Sequence, residues 1–137
     1  MPLNDILNCP ESELWSILDA DESDDRECWF FCKGIGMIEL ALLGALLGVD
    51  SYDRLLADLR LVGEPRETGP WPQAIPAALI QRLATIGNTE IAAVVPRWLA
   101  SEELADTATT EELMDYLMQL RNFLADRSGD FFLINAL

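Results

Sequence analysis

One stretch limits the folds open to this chain more than any other, because it is apolar over 22 residues, from Cys28 to Val49. A helix of this length could cross a lipid bilayer. Lys33 and Glu39 interrupt the stretch, however, and a charged side chain near the centre of a bilayer is costly. The segment before it is acidic and offers no positive membrane anchor. We therefore expect a buried central helix and no membrane span.

Helix signals follow one another through the amino-terminal half. A first helix is expected to start near residues 8–9, because Pro10 suits the first position of a helix. A second helix should cover about residues 24–47, with a kink or break at its two early glycines, since glycine costs about 1 kcal/mol in a helix interior. A third is predicted over residues 50–60, where apolar side chains recur on one face.

The carboxyl-terminal half predicts three more helices. Pro76 can start one of them, and Asn88 can cap the next. Pro96 should kink that second helix or open a new one, because proline lacks an amide N–H and clashes with the preceding turn. The last helix has the clearest signal, since Thr109 and Glu112 match a capping box in which each side chain accepts a hydrogen bond from the other residue's backbone.

Two segments carry no helix signal. Residues 63–75 contain two glycines and three prolines, which predicts a long loop between two helical halves that share one core. The tail at 131–134 is aromatic and branched, and it could form a short strand or a docked extension. A lone strand needs a partner, and no second strand is evident. The expectation is an all-α or mostly α bundle of about five to seven helices, folded as a single domain over 1–137.

Charge constrains the partners that this chain can bind. It has 24 acidic residues against nine basic ones, which gives a net charge of −15. Such a surface repels nucleic acids and anionic membranes and attracts basic proteins and cations. The same charge can also serve solubility alone. We expect a basic protein partner, or none, and no nucleic acid partner.

Several chemistries are disfavoured by the residue types present. The chain has no histidine, so Ser-His-Asp and Cys-His catalysis within one chain are excluded. Asp19, Asp21 and Ser23 match the first positions of a calcium loop, but Asp24 and Phe30 occupy the positions that require glycine and a bidentate glutamate. No catalytic residue, metal ligand or cofactor site is therefore predicted.

The cysteines are more informative about the cellular compartment of the protein than about its chemistry. Their number, three, is odd, and the amino terminus lacks the features of a secretory signal. Both observations favour a reducing compartment, and the cytoplasm is the expected location. We interpret the three thiols as buried core groups.

Two features stand out as candidate partner-binding sites. Trp71 lies between two prolines in the central loop, and tryptophan is enriched at binding hot spots. The alternative for Trp71 is that it folds back over the core. The second feature is the acidic segment between the first two predicted helices, whose candidate residues are Asp19, Asp21, Glu22, Asp24 and Asp25.

Three function classes remain open from the sequence. The favoured one is a small acidic bacterial protein that binds a basic partner without catalysis, as an immunity protein or antitoxin would. The bacterial origin is suggested by abundant alanine and leucine and by the excess of arginine over lysine. One alternative is a carboxylate- or metal-dependent enzyme or enzyme subunit. The other is a homo-oligomeric structural module that pairs through the Gly44 and Gly48 face or through the leucine stripe of the last helix.

Overall fold

A four-stranded antiparallel sheet lies at the centre of the fold. The computed structural model describes residues 3–19, 28–31, 35–64, 66–101, 104 and 108–136. Within these ranges the strands are β1 (Leu3–Asn8), β2 (Trp29–Phe31), β3 (Trp71–Ala74) and β4 (Phe131–Ala136). Their order across the sheet is β2-β1-β4-β3. The chain is therefore a mixed α/β protein, and the all-α or mostly α bundle expected from the sequence is wrong.

Six α-helices accompany the sheet in the described part of the chain, and a short 3-10 helix over Glu11–Glu13 precedes the first of them. Their bounds are α1 (Leu14–Asp19), α2 (Met37–Leu46), α3 (Tyr52–Asp58), α4 (Ala77–Ala84), α5 (Asn88–Leu99) and α6 (Thr110–Ala125). None of the helices described is both long enough and apolar enough to cross a membrane. The central apolar run contributes α2, whose inward residues are buried as expected.

β1 and β4 form the centre of the sheet and pair over their whole length. The register runs from Leu3 opposite Ala136 to Asn8 opposite Phe131. β2 pairs with the outer side of β1, and β3 pairs with the outer side of β4. The carboxyl-terminal tail, for which the sequence left strand and docked extension open, is thus a central strand. Its partner is the segment that leads into the first predicted helix.

Both faces of the central strand pair are buried. Ile6 and Leu133 belong to the larger core, which the sheet forms with residues of α2 to α6. Leu7 and Phe132 point to the opposite face, where they pack with Leu14 at the start of α1. Because successive side chains of a strand point to opposite faces, this arrangement places two hydrophobic clusters on the two sides of one sheet.

Two helix predictions in the amino-terminal half are wrong in part. The first places a helix start near residues 8–9, where β1 ends, but helical structure begins only at Glu11. The second covers 24–47, whereas β2 lies in its first part and α2 begins at Met37. Three consecutive aromatic residues favour the strand, and Gly36 has an extended backbone at the cap of α2. Residues 24–27 and 32–34 of that prediction lie outside the described ranges.

The other helix predictions agree with the structure more closely. The third helix is present as α3, and α4 directly follows Pro76. Pro96 lies inside α5, which continues to Leu99. The capping box of α6 is confirmed, since the Thr109 hydroxyl accepts a hydrogen bond from Glu112 N at 3.2 Å and Glu112 Oε1 accepts one from Thr109 N at 3.2 Å. The predicted loop over 63–75 is wrong at its end, because β3 occupies four of its residues.

Candidate functional site

A cleft of about 470 Å³ opens at the end of the sheet where β3 and β4 meet the start of α2. Its rim holds the three exposed large apolar side chains of the described residues, Met37, Ile38 and Leu61, each of them 38% exposed. The half-buried Trp71 also lines it. We call this site the Trp71 cleft. Its remaining lining residues are Asn4, Gly36, Glu39, Gln73 and Asn135.

Side-chain amides from two central strands begin the floor of this cleft. Asn4 of β1 and Asn135 of β4 are partners in the sheet register, and Asn4 Nδ2 donates a hydrogen bond to Asn135 Oδ1 at 2.7 Å. They lie on the same face as Ile6 and Leu133, two residues farther toward the end of the sheet. At this end the helix-facing side of the sheet changes from an apolar core to a polar surface.

Gln73 of β3 extends the floor and fixes it to its surroundings. Asn135 Nδ2 donates to Gln73 Oε1 at 2.8 Å and to the Trp71 carbonyl oxygen at 2.9 Å. Gln73 Nε2 donates in turn to the Leu59 carbonyl oxygen at 2.8 Å and to Met37 Sδ at 3.0 Å. Both N–H groups of Asn135 Nδ2 and of Gln73 Nε2 are therefore hydrogen-bonded, and these bonds fix the orientations of the two side-chain amides.

Glu39 supplies the one charged side chain of the Trp71 cleft. Its Oε2 accepts a hydrogen bond from Gly36 N at 3.1 Å, which caps the start of α2. Its backbone carbonyl oxygen accepts a bond of 2.9 Å from Nε1 of the buried Trp98. A carboxylate whose backbone and one oxygen are both held in place is a fixed negative charge at the cleft.

Trp71, one of the residues singled out from the sequence, is half-buried at the rim of this cleft. Its Nε1 donates a hydrogen bond of 2.6 Å to the carbonyl oxygen of Arg66. Gly69 passes directly against the ring, since a Cβ on Gly69 would lie 3.0 Å from two ring carbons. The positive φ of 74° at Gly69 also disfavours a side chain there. The loop thus packs on the indole and leaves the ring at the cleft.

Asp19, the first of the acidic candidates, lies at the end of α1 and pairs with Arg66. The Arg66 guanidinium donates to both carboxylate oxygens, at 2.6 and 3.2 Å, and its Cζ lies 4.1 Å from the centre of the Trp15 ring. The hydrogen bonds from Arg66 lower the pKa of Asp19 below its usual range and raise the pKa of Arg66. Asp19 and Trp71 are therefore linked through one residue, Arg66. The other acidic candidates, Asp21, Glu22, Asp24 and Asp25, lie outside the described residues.

A second cleft of about 590 Å³ lies between α4, the end of α6 and the start of β4. Its charged lining residues are Arg60, Arg127, Glu11 and Asp130. The charges of these two positive and two negative side chains sum to zero. The second cleft therefore offers no net charge with which to select a partner.

The Trp71 cleft is lined by few groups that could take part in acid–base chemistry. Among its lining residues Glu39 is the one titratable side chain, so the cleft holds no pair of groups for acid and base catalysis. Within the described ranges no group of three potential metal ligands comes together. Comparisons of the chain with protein-family models, with curated proteins and with solved structures find no match. Function must therefore be inferred from the site itself.

Sequence reasoning missed most of this site. The apolar run predicts Met37 and Ile38 as core residues, and Glu39 stands out in the sequence only as an interruption of that run. Asn4 and Asn135 are 131 residues apart, and no local pattern relates them. The asparagine near the outer end of each central strand is the available signal, but it carries meaning only once the two strands are known to pair.

Proposed function

We propose that this chain is a non-catalytic binding module whose partner is a basic protein that docks over the Trp71 cleft. The observation that carries the proposal is the convergence of Trp71 and the three large apolar side chains that are exposed in the described part of the chain around one cleft, on a chain with a net charge of −15. An immunity or antitoxin-like role in a bacterial cytoplasm is the concrete form that we favour.

Two of the rim residues, Trp71 and Met37, are of types that are enriched in protein interfaces. Tryptophan and methionine are enriched in the buried centre of such interfaces. Hydrogen bonds also hold both side chains in place. Trp71 Nε1 donates to the Arg66 carbonyl oxygen, and Met37 Sδ accepts a bond from Gln73 Nε2. A preorganised aromatic anchor loses little conformational freedom on binding, so more of its contact energy appears as affinity.

Charge complementarity supports a basic partner. A chain with 24 acidic and nine basic residues attracts positively charged proteins over long range and speeds their encounter. The same field repels nucleic acids, which makes them poor candidates. The apolar rim would then supply the short-range contacts that charge alone does not provide.

Self-association through the surfaces suggested by the sequence is less well supported. A Cβ on Gly44 would lie 2.7 Å from Leu55 Cδ1, so that helix face already packs within the chain. The leucine stripe of α6 is also buried inside the chain; its members are Leu113, Leu117, Leu120 and Leu124. Gly44 and the leucine stripe are therefore not available to a second copy without opening the core, which leaves only the exposed Gly48 of the suggested surfaces.

Selection from a phage-displayed library of random peptides tests the proposal. The wild-type protein should enrich peptides that combine arginine or lysine with an apolar residue, and high salt should weaken their binding. A double variant, Ile38→Ser with Leu61→Ser, should lose these peptides while keeping its circular dichroism spectrum. The matched control is Ala92→Ser with Ala93→Ser, which changes two exposed apolar residues on α5.

Two results would overturn the proposal. One is enrichment of peptides without basic residues. The other is equal binding of the selected peptides by the rim variant and the wild type. Because both double variants replace exposed residues, neither is expected to disturb the fold.

A further inference from the structure

The geometry points to an arginine side chain of the partner as the group that enters the Trp71 cleft, with its guanidinium bound to the Glu39 carboxylate and the amide floor. This inference rests on the proposed function and identifies the partner residue that the cleft recognises. It depends on a mismatch between the hydrogen-bond donors and acceptors that the cleft presents.

The side-chain donors of Asn135 and Gln73 are used within the protein. Both hydrogens of Asn135 Nδ2 are engaged, by the Trp71 carbonyl oxygen and by Gln73 Oε1. Both hydrogens of Gln73 Nε2 are engaged as well, by the Leu59 carbonyl oxygen and by Met37 Sδ. These two amides therefore have no N–H left to offer to a ligand.

Acceptor capacity remains on the same groups. Asn135 Oδ1 accepts one bond, from Asn4, and Gln73 Oε1 accepts one, from Asn135, while an amide oxygen has two lone pairs. Glu39 uses Oε2 to cap Gly36 N, and its Oε1 has no hydrogen-bond partner among the described residues. The spare acceptors of Asn135 and Gln73, whose own donors are engaged, and the negative charge of Glu39 are complementary to a cation with many N–H groups.

Guanidinium fits this site better than ammonium does. It is planar, permanently charged and carries five N–H donors, so it can pair with a carboxylate and reach neighbouring amide oxygens at once. Its flat face can also stack on an indole ring such as that of Trp71. The aliphatic part of an arginine would contact the apolar rim of Met37, Ile38 and Leu61.

Titration with N-acetyl-L-arginine amide, followed by ¹⁵N NMR, tests the inference. We expect this probe to shift the Gly36 amide, the Trp71 indole and the side-chain amides of Gln73 and Asn135. N-acetyl-L-citrulline amide has nearly the same shape without the charge, and it should bind at least about tenfold more weakly, as expected for loss of a charge-assisted hydrogen bond. N-acetyl-L-lysine amide should also bind more weakly than the arginine probe.

A pair of glutamine variants separates the charge of Glu39 from its capping role. Glu39→Gln keeps an acceptor for Gly36 N but removes the charge, and it should weaken the arginine probe by about tenfold or more. Glu112→Gln is the matched control, because Glu112 holds the same capping-box position in α6 and lies outside the cleft. That variant should bind the arginine probe as the wild type does.

The results that overturn this inference differ from those that overturn the proposed function. Equal binding of the arginine and citrulline probes, equal binding of the lysine probe, or full arginine binding by Glu39→Gln would each exclude a guanidinium site. Basic peptides selected by the library could still bind the rim in all three cases. Failure of the library to select basic peptides would instead remove the proposed function on which the inference depends.

Discussion

The indole Nε1 of Trp71 donates a hydrogen bond of 2.6 Å to the backbone carbonyl oxygen of Arg66, and the guanidinium of Arg66 is paired with Asp19. One residue thus connects the end of α1 to the rim of the Trp71 cleft. The guanidinium also lies over the ring of Trp15. The position of the Trp71 ring therefore depends on a loop that is held by side chains from a distant part of the sequence.

Replacement of Arg66 by glutamine should change the cleft without unfolding the protein. The Asp19 and Arg66 side chains are both exposed, so the ion pair contributes little to global stability. We expect a shifted NMR resonance for the Trp71 indole and weaker binding of the selected basic peptides. Arg54→Gln is the control, since it removes an exposed ion pair with Asp50 at the start of α3, and neither residue lines the cleft. Equal peptide binding by Arg66→Gln and Arg54→Gln would show that Arg66 does not support the cleft.

The same ion pair predicts a pH dependence with a definite sign. Arg66 lowers the pKa of Asp19, so the folded state favours the carboxylate. The contribution of the pair is present above the ordinary pKa of aspartate and is lost as the pH falls through the lowered pKa. In a carboxyl NMR titration, Arg66→Gln should move the Asp19 midpoint upward toward its usual value. An unchanged midpoint would mean that the pair does not persist in solution.

Local signals explain the parts of the fold that the sequence predicted. The capping box of Thr109 and Glu112 and the leucines that follow it lie within one helix, and all of them can be read in a short window. β1 and β4 could not be recognised in this way. Phe131, Phe132, Leu133 and Ile134 are all buried, so β4 lacks the alternation of apolar and polar residues that marks a strand with one exposed face.

The candidate site, like the fold, could be predicted from the sequence only in part. Trp71 was identified because a tryptophan between two prolines is unusual within a few residues of sequence. The apolar rim was not identified, because Met37 and Ile38 belong to the run that also provides the buried face of α2. Whether a residue of that run faces the core or the solvent depends on where α2 begins. Gly36 and Glu39 determine that position through a cap of backbone and side chain.

The central position of β4 predicts a large cost for changes within it. Leu133 is fully buried, and Leu133→Ala should lower the free energy of unfolding by about 2–5 kcal/mol through lost burial and the cavity left behind. Ile38→Ala removes a similar number of atoms at an exposed position and should change it by about 0.5 kcal/mol or less. Urea denaturation of both variants provides the measurement. Similar effects for the two variants would contradict a central β4.

Substitutions at Gly44 and at Gly48 should destabilise the protein for different reasons, although both residues lie near the end of α2. A Cβ on Gly44 would lie 2.7 Å from Leu55 Cδ1 and 3.1 Å from Leu79 Cδ1, so Gly44→Ala should cost about 1–3 kcal/mol by overpacking. Gly48 has open space but a φ of 77°, so Gly48→Ala should cost about 1–2 kcal/mol through backbone strain.

Asparagine distinguishes the two causes, because it tolerates positive φ better than alanine does. Gly48→Asn should therefore be milder than Gly48→Ala in urea denaturation. Gly44→Asn should be more damaging than Gly44→Ala, since the larger side chain meets the same two leucines. The reverse order at either glycine would contradict the assigned cause.

Cys9 predicts a loss of stability in alkaline solution. Its thiol is buried in the smaller core beside Leu7, Leu14 and Phe132. Burial raises the pKa of Cys9 from 9.0 to about 11, with smaller contributions from Cys28, Glu13 and Asp130. Because the folded state holds the proton more tightly, this contribution to stability is complete below the ordinary pKa and is lost as the pH rises toward the raised value.

The free energy of unfolding should therefore fall more steeply between about pH 9 and 11 for the wild type than for Cys9→Ala. Over this interval the wild type should lose at most about 2–3 kcal/mol more of its free energy of unfolding than Cys9→Ala does. Cys28→Ala is the control, and it should keep most of the slope because burial is the largest cause of the shift at Cys9. Urea denaturation at a series of pH values gives both curves. Parallel curves for the wild type and Cys9→Ala would mean that the Cys9 thiol is not shielded from solvent in the native protein.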